Sequence, residues 1–427
     1  MAHWSTLDTD SGTDKQYEEE IGVMWGAAEP KDFAQMRLRL DFGLRRAIMG
    51  FNEWAVPGLG GAFFVRQLSW ACMGLRLAQE VDTPATPARI AEALEAFASW
   101  IVVRSDPQAK SEHRVQGKRK FAGRTSLSFS DVAKSGAYVT VPFRRSATRA
   151  LPGLGLCIRE EARFSALELT PAGIELAESA LTSGRELDGD ARRWLKNWIE
   201  DGDKDAKKVQ PAIKAALQPS LASTAEKRLV LERLRGDARR TDLEKLLSSH
   251  TNAMLATKNG RGSFLRQLQH TEHAGRLATC FAFEDVRAST LQAAQAMSNA
   301  IRSSAQEVHA LAKNQDVADA FAALGRDCDV LRVSAAPGTP VDASVFCAEQ
   351  SSLRGLEDRV ASLAGRAPMV FSVIDGRIDQ GVAYTGKPLV ADDAYDPQEN
   401  EMSEETYGVP RPLLRLRQLL VDAGGQL

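Results

Sequence analysis

The sequence predicts a mostly α protein with an N-terminal helical unit, an embedded winged helix, a central helical bundle and a small C-terminal α+β element. Three observations lead there. Apolar residues recur at helical spacing over most of the 427 residues. Glycine and proline punctuate those runs at short intervals. Only the last hundred residues hold short, strand-like apolar runs. A composition of 44% hydrophobic and 26% charged residues excludes a disordered or collagen-like chain. The length accommodates two or three domains.

Residues 1–30 read as a polar, acidic flexible arm, without the basic-then-apolar pattern of a secretory signal. The N-terminal unit spans 31–103. Phe33, Met36, Leu40, Leu44, Ile48 and Phe51 share one face of an amphipathic helix that ends at Pro57-Gly58-Leu59-Gly60-Gly61. FFVRQLSWACMGLRLAQEV begins a second helix. Thr86-Pro87, an N-cap followed by proline at the first helical position, opens a third that runs to about Val103. Trp54, Trp70 and Trp100 are expected to meet in the core of this unit. The most apolar stretch, Trp54 to Leu75, is interrupted by Arg66 and four glycines, so no membrane span is expected. Five scattered cysteines with no C-x-x-C pair suit reduced thiols. These features together predict a cytoplasmic protein.

Residues 104–185 hold a basic loop and a short helix–turn–helix. Residues 186–325 form the bundle, with ARRWLKNWIE, AEKRLVLERLRGDARRTDLEKLLSSH and a long Ala-rich stretch from Ala288 to Leu324, broken at Gly202, Pro219 and Asn259-Gly260. In 326–427, LRVSA, MVFSVID and GVAYTG are strand-like, Asp375-Gly376 suits a hairpin turn, and PLLRLRQLLVDAG is a helix closed by Gly424. Gly60, Phe64, Arg66, Gln67, Leu68, Arg76, Leu77 and Ala78 recur 200 positions later, as a duplicated helical unit or chance would produce.

The chemistry concentrates in 104–181. In 130–181 a short helix begins at Ser130, a turn falls at Gly136, and a second helix starts near Pro142. Gly155-Leu156, a two-stranded segment and Leu169-Thr170-Pro171-Ala172-Gly173 follow. This segment resembles the winged helix–turn–helix of MarR-type bacterial regulators: Gly155-Leu156 matches the turn after the recognition helix, and Leu169, Thr170 and Gly173 match the entry to the next helix. The resemblance covers about fifty residues. Pro152 and the acids Glu160 and Glu161 depart from the pattern, which puts the length of the recognition helix and the basicity of the wing in doubt. Between Arg104 and Arg149, eleven Lys/Arg face three acids, a local +8 in a chain of net charge −2. Such a field suits phosphate binding with counterion release. The resemblance places Arg144, Arg145, Thr148 and Arg149 at the DNA-facing end of the recognition helix and Arg163 beside the wing. Lys118, Arg119, Lys120 and Arg124 would follow an adjacent phosphate run, with Phe121 available for stacking.

Enzymatic signatures are absent. The glycines of 57–61 follow a helix and lack a Lys-Ser/Thr, so they suit a helix corner, as does the near-repeat Pro152-Gly153-Leu154-Gly155. His270 and His273 share a helix face, but Cys280 lies about 10 Å further along the axis, too far for one zinc. No G-x-S-x-G or H-E-x-x-H occurs. Asp375, Asp379 and the acidic stretch 391–407, with seven carboxylates and no base, suit turns and a solvated loop that docks on or shields the basic region. The resulting expectation is a non-enzymatic bacterial protein without cofactor or metal that binds double-stranded DNA. It would act as a DNA-binding or adaptor subunit of a multiprotein system; chromosome maintenance, mobile elements and anti-phage defence are analogies of architecture. An oligomeric scaffold for a partner ATPase or nuclease is the first alternative, and an enzyme of unfamiliar type the second.

Overall fold

The computed structural model describes residues 40–105, 112–134, 136–159, 163–184, 186–187, 189–389 and 408–425. The arm 1–30, Phe33, Met36, Lys110, Glu160, Glu161 and the acidic stretch 391–407 lie outside the described residues. Among those described, the fold is mostly helical, with one two-stranded and one three-stranded antiparallel sheet. No described helix is long and apolar enough to cross a membrane.

Helix α1 (Arg45–Ala55) leads through the Pro57–Gly61 corner into α2 (Val65–Ala78), which is buried almost throughout. Thr86 opens α3 (Pro87–Ser105), and its hydroxyl accepts from the Arg89 N–H at 3.4 Å. A single turn, α4 (Lys118–Phe121), precedes α5 (Phe129–Ala133), whose cap is Ser128. Helix α6 (Phe143–Gly153) carries Pro152 inside its last turn, where the missing N–H leaves the Thr148 carbonyl without its i+4 donor just before the helix ends. Strands β1 (Cys157–Arg159) and β2 (Leu167–Leu169) pair antiparallel, and Thr170 then caps α7 (Pro171–Leu181) by accepting from the Gly173 N–H at 3.2 Å.

Helices α8 (Ala191–Glu200), α9 (Pro211–Leu217), α10 (Thr224–Arg235), α11 (Ala238–Leu247), α12 (Asn252–Ala256) and α13 (Lys258–Gln267) follow. They lead to the longest helix, α14 (Thr271–Ala300). The Ala-rich stretch is not one helix. It breaks after Ala300 into β3 (Gln306–Glu307) and α15 (Val308–Lys313) before α16 (Gln315–Ser334) returns antiparallel along α14. The Thr279 hydroxyl, near the start of α14, donates to the Ser334 carbonyl at the end of α16. LRVSA therefore forms the end of a helix, where Leu331 packs inward, and not a strand. Helices α17 (Val341–Gln350) and α18 (Leu356–Gly365) precede strands β4 (Phe371–Ile374) and β5 (Arg377–Gln380). Asp375 and Gly376, both at positive φ, make the turn between these strands, while GVAYTG folds as turns.

The C-terminal helix α19 (Arg411–Asp422) is not part of a separate C-terminal element. It packs back on α1 and α11, and the Asp422 carboxylate accepts from the Val65 N–H at 2.8 Å, which caps α2. The buried apolar residues form one contiguous core from Leu40 to Ala423. Within it, Trp70 and Trp100 are fully buried but sit in different aromatic groups, Trp70 with Phe64 and Phe143, Trp100 with Phe97. Trp54 is half-buried against Phe51 and the Arg276 guanidinium. The three tryptophans do not meet.

The two Pro-Gly-Leu-Gly segments do. A Cβ on Gly58 would lie 2.9 Å from the Gly153 Cα and carbonyl oxygen, so both positions must stay without one. The Arg240 guanidinium pins the crossing, donating to the Pro57 carbonyl at 2.8 Å and the Gly153 carbonyl at 3.3 Å. The 200-residue sequence recurrence has no structural counterpart. Phe64 and Phe264 are both buried, but Gly60 makes a left-handed turn before α2 while Gly260 lies inside α13. Arg66 is wholly buried and Arg266 is exposed.

Arg66 reaches from α2 to the end of α9, donating to the carbonyls of Ala215 at 3.0 Å, Leu221 at 2.6 Å and Ala216, and it pairs with Glu226 of α10 at 3.1 Å. Removing one partner of a buried ion pair strands the other. Arg66→Met is therefore expected to cost about 3–5 kcal/mol in urea denaturation. Arg228→Met, which removes only the exposed pairs with Glu175 and Glu232, is expected to cost less than about 1 kcal/mol. Equal costs for the two would contradict this assignment.

Candidate nucleic-acid interface

The segment singled out in the sequence folds as helix, turn, helix, antiparallel strand pair and helix, in α5, α6, β1–β2 and α7. The strand pair is short because each strand contributes three residues, and Ile158 in the middle of β1 is 57% exposed. Gly155 stands at positive φ, and the Leu156 carbonyl accepts from the Thr170 N–H at 3.0 Å, which closes the segment onto α7.

The basic loop is docked on the turn between α5 and α6. Lys120 Nζ donates to the Gly136 carbonyl at 2.7 Å, Gly117 packs on the Tyr138 ring, and the Phe121 ring lies 6.1 Å from that of Tyr138. Phe121 is buried there, so it serves this packing and is not available to stack on a base. The loop also sits on α3, where the Trp100 indole N–H donates to the Arg124 carbonyl at 3.0 Å. Five residues earlier on the same helix, about 7.5 Å along its axis, Glu95 receives the start of α6. One helix thus carries both basic segments.

The start of α6 is closed. Its cap position is Pro142, which offers no side-chain acceptor, and Glu95 takes that role from a distance. The Phe143 and Arg144 N–H groups donate to the two Glu95 carboxyl oxygens at 2.8 and 2.6 Å. Arg144 turns inward as well: its Nε donates to Glu92 at 2.9 Å and its guanidinium lies 5.7 Å from the Phe164 ring centre. Thr148 bonds the Arg144 carbonyl within the helix, and Arg149 packs its Cβ against Gly60 and directs Nη2 toward the Met49 sulfur. Of the four residues expected to face DNA from α6, only Arg145 is exposed.

Arg119, Lys120, Arg124, Arg145 and Arg163 are exposed, and none of them makes an ion pair among the described residues. Lys118 is half-buried. Of the described acids between Arg104 and Arg149, Glu112 pairs with Arg114 at 2.8 Å and Asp131 with Lys134 at 3.3 Å. The surplus of positive charge therefore stays at the surface. Sequence reasoning missed Glu92 and Glu95, which sit inside an apolar helix and carry no local signal of their partners 48 to 52 residues away.

The other sequence candidates separate. His270 is exposed at the start of α14 and His273 is buried, while the Cys280 thiol bonds the Phe51 carbonyl at 3.4 Å. Asp375 and Asp379 occupy the exposed β4–β5 turn and β5. Among the described residues no group of three or more His, Cys, Asp or Glu is placed to hold a metal ion. His270 and His273 do share a cleft with Glu53, Trp54, Arg239, Glu272 and Arg276. Comparison of the chain with protein-family models, with curated proteins and with solved structures finds no match.

Burial pushes the Glu95 carboxyl up to about 8, against the pull of the two N–H donors and of Arg144. The folded chain then holds a proton on Glu95 that the unfolded chain releases above an ordinary carboxyl pKa. This contribution to stability is complete below that ordinary value and is lost as pH rises through about 8. The unfolding free energy of the wild type is expected to fall between about pH 6 and about pH 8, by at most ~1.4 kcal/mol per pH unit. Glu95→Gln should flatten that slope in chemical denaturation across the window; an unchanged slope would assign the titration to another group.

Proposed function

We propose that the chain is a non-enzymatic, DNA-associated protein that holds duplex DNA by its backbone phosphates, acting as a subunit of a larger assembly. The observation that carries the reading is the docking of the basic loop on the turn of the helix–turn–helix. It brings Arg119, Lys120 and Arg124 to the same module as Arg145 and Arg163, and none of these five makes an ion pair among the described residues. The order of elements from α5 to α7 supports a winged helix–turn–helix. The inward turn of Arg144 alters what such a module does. With the first N–H groups of α6 bonded to Glu95 and Arg144 turned inward, the helix offers Arg145 to a phosphate run and not Arg144 to base edges. Phosphate contacts of that kind position a protein on DNA without specifying sequence.

Fluorescence anisotropy of a labelled duplex across a salt series tests this. Affinity is expected to fall with a log–log slope of about −4, as four or five neutralised phosphates require, and to vary little between duplex sequences. The combined Arg119→Ala, Lys120→Ala, Arg124→Ala and Arg145→Ala variant should lose about a hundredfold at low salt and flatten the slope. Arg144→Ala should lower stability while leaving the affinity of the folded fraction nearly unchanged. Failure of the folded wild type to bind at low salt would overturn the reading.

A second reading rests on a different surface. Val330 and Val333 of α16, Val341 and Val345 of the α17 helix packed against it, and Leu353 are 47–90% exposed, and apolar side chains exposed together mark interaction surfaces. That observation favours a scaffold bound to a protein partner, and it is compatible with DNA held on the basic side.

A further inference from the structure

We propose that the phosphate-binding surface continues from the basic loop, past the start of α5, onto residues 204–208, where Lys207 and Lys208 hold a further stretch of the same duplex backbone. This inference rests on the DNA reading above and adds to it a contact on the connection between α8 and α9. Three observations carry it.

The first is where the connection lies. The Ala206 N–H donates to the Leu127 carbonyl at 2.9 Å in an isolated antiparallel bridge. The residues just after Ala206 therefore run beside those just before Leu127, where the basic loop ends at Arg124. The second is how firmly the connection is held. The Ser130 N–H donates to the Gly202 carbonyl at 2.8 Å, and the Ser130 hydroxyl donates to Asp203 at 2.7 Å. The Trp198 indole N–H shares the Leu127 carbonyl at 3.2 Å. Ala206 is buried, and Val209 packs partly buried against the core. Lys207 and Lys208 thus stand between two fixed points, and a ligand has little backbone to order there when it binds.

The third is the charge. Lys207 and Lys208 are exposed and make no ion pair among the described residues. Of the acids nearby, Asp201 pairs with Lys204 at 3.9 Å and Asp203 accepts from Ser130, which leaves the exposed Asp205 as the one acid of 204–208. Arg104 fills the gap to the loop. It is exposed, its guanidinium donates to the Thr125 carbonyl and lies 5.1 Å from the Trp100 ring centre, and it too makes no ion pair among the described residues. Arg119, Lys120, Arg124, Arg104, Lys207 and Lys208 therefore follow one another over the surface. Ala122, Gly123, Thr125 and Ser126, which lie between them in the loop, are small, so a rigid backbone can approach the row closely. A row of cations without acid partners suits a run of phosphates, which it binds with release of their counterions.

Fluorescence anisotropy of the full chain with a labelled duplex, joined to lysine acylation of the complex read by peptide mass spectrometry, tests the proposal. At saturating duplex, Lys207 and Lys208 are expected to react about fivefold more slowly than in the free chain, as ammonium groups paired with phosphate do. Lys245 of α11 and Lys258 of α13, both exposed, should react at an unchanged rate. The combined Lys207→Ala and Lys208→Ala variant should lose about tenfold in affinity at low salt and flatten the log–log salt slope by about 1. Asp205→Asn, which removes the acid beside the two lysines, should tighten binding about threefold, a gain that a poorly folded variant does not give. Binding of duplex by the wild type with Lys207 and Lys208 unprotected, or with affinity unchanged in the double variant, would overturn this proposal and leave the DNA reading standing. Failure of the folded wild type to bind at low salt overturns both.

Discussion

A fold assembled from so many short helices buries many helix ends, and each end carries backbone groups that the helix itself cannot satisfy. That constraint organises this molecule, which meets it with ionic side chains drawn from distant helices. Arg66 covers the carbonyls that end α9 and the turn after it. Arg240 does the same for the Arg233 and Leu234 carbonyls at the end of α10 and for Gly153 at the end of α6. Arg261 covers the Leu255 and Ala256 carbonyls at the end of α12. Carboxyl groups serve the opposite ends: Asp422 on α2 and Glu95 on α6. The cations at the C-termini and Asp422 at the start of α2 have the sign that the helix dipole asks for, while Glu95, protonated up to about pH 8, serves α6 as a neutral acceptor. An uncapped buried carbonyl costs about 1–3 kcal/mol, so one guanidinium serving three carbonyls offsets much of its own desolvation.

These caps tie distant parts of the chain together. Asp422 joins the last helix to the start of α2 and also pairs with Arg114, just before the basic loop, at 2.9 Å. Arg240 holds two glycine corners together that lie about a hundred residues apart in sequence. The same logic decides the character of α6. Its start needs an acceptor, Pro142 supplies none, and the nearest carboxylates are on α3, so the helix is drawn in by its N-terminus and Arg144 goes with it. What stays outside is the flank bearing Arg145 and the loop bearing Arg119, Lys120 and Arg124.

The parts legible in the sequence were those written locally. Thr86-Pro87, Thr170-Pro171 and the Asp375-Gly376 turn each act within four residues, and each stands where its spacing puts it. The helical periodicity of α2, α3 and α14 needs no distant partner to be read. The caps by Glu95, Asp422, Arg66 and Arg240 could not be read, since an acid or arginine within an apolar helix looks the same whether its partner is water or a carbonyl 150 residues away. LRVSA misled for a related reason: β-branched and apolar residues at a helix end give the same short run as a strand, and only packing along α14 decides between them. The positive segment was visible as a charge count, but the count could not say that Arg144 is spent on Glu92 while Arg145 is not.

The contrast between α6 and α14 carries the same constraint one step further. Neither helix has a side-chain cap of its own, but α6 begins at buried Pro142 and Phe143 while α14 begins at exposed His270 and Thr271. Glu95 closes α6, so the first two N–H groups of that helix are already taken. At α14 the Asp242 carboxylate accepts from the Gln269 N–H at 2.7 Å, one residue before the cap, while Glu53 accepts from the Gly58 N–H and Glu272 pairs with Arg276. Wherever the chain has a buried helix start to fill and an acid within reach, it uses it. At α14 the start is open to solvent, so water can satisfy its first N–H groups and no buried acid has to reach them.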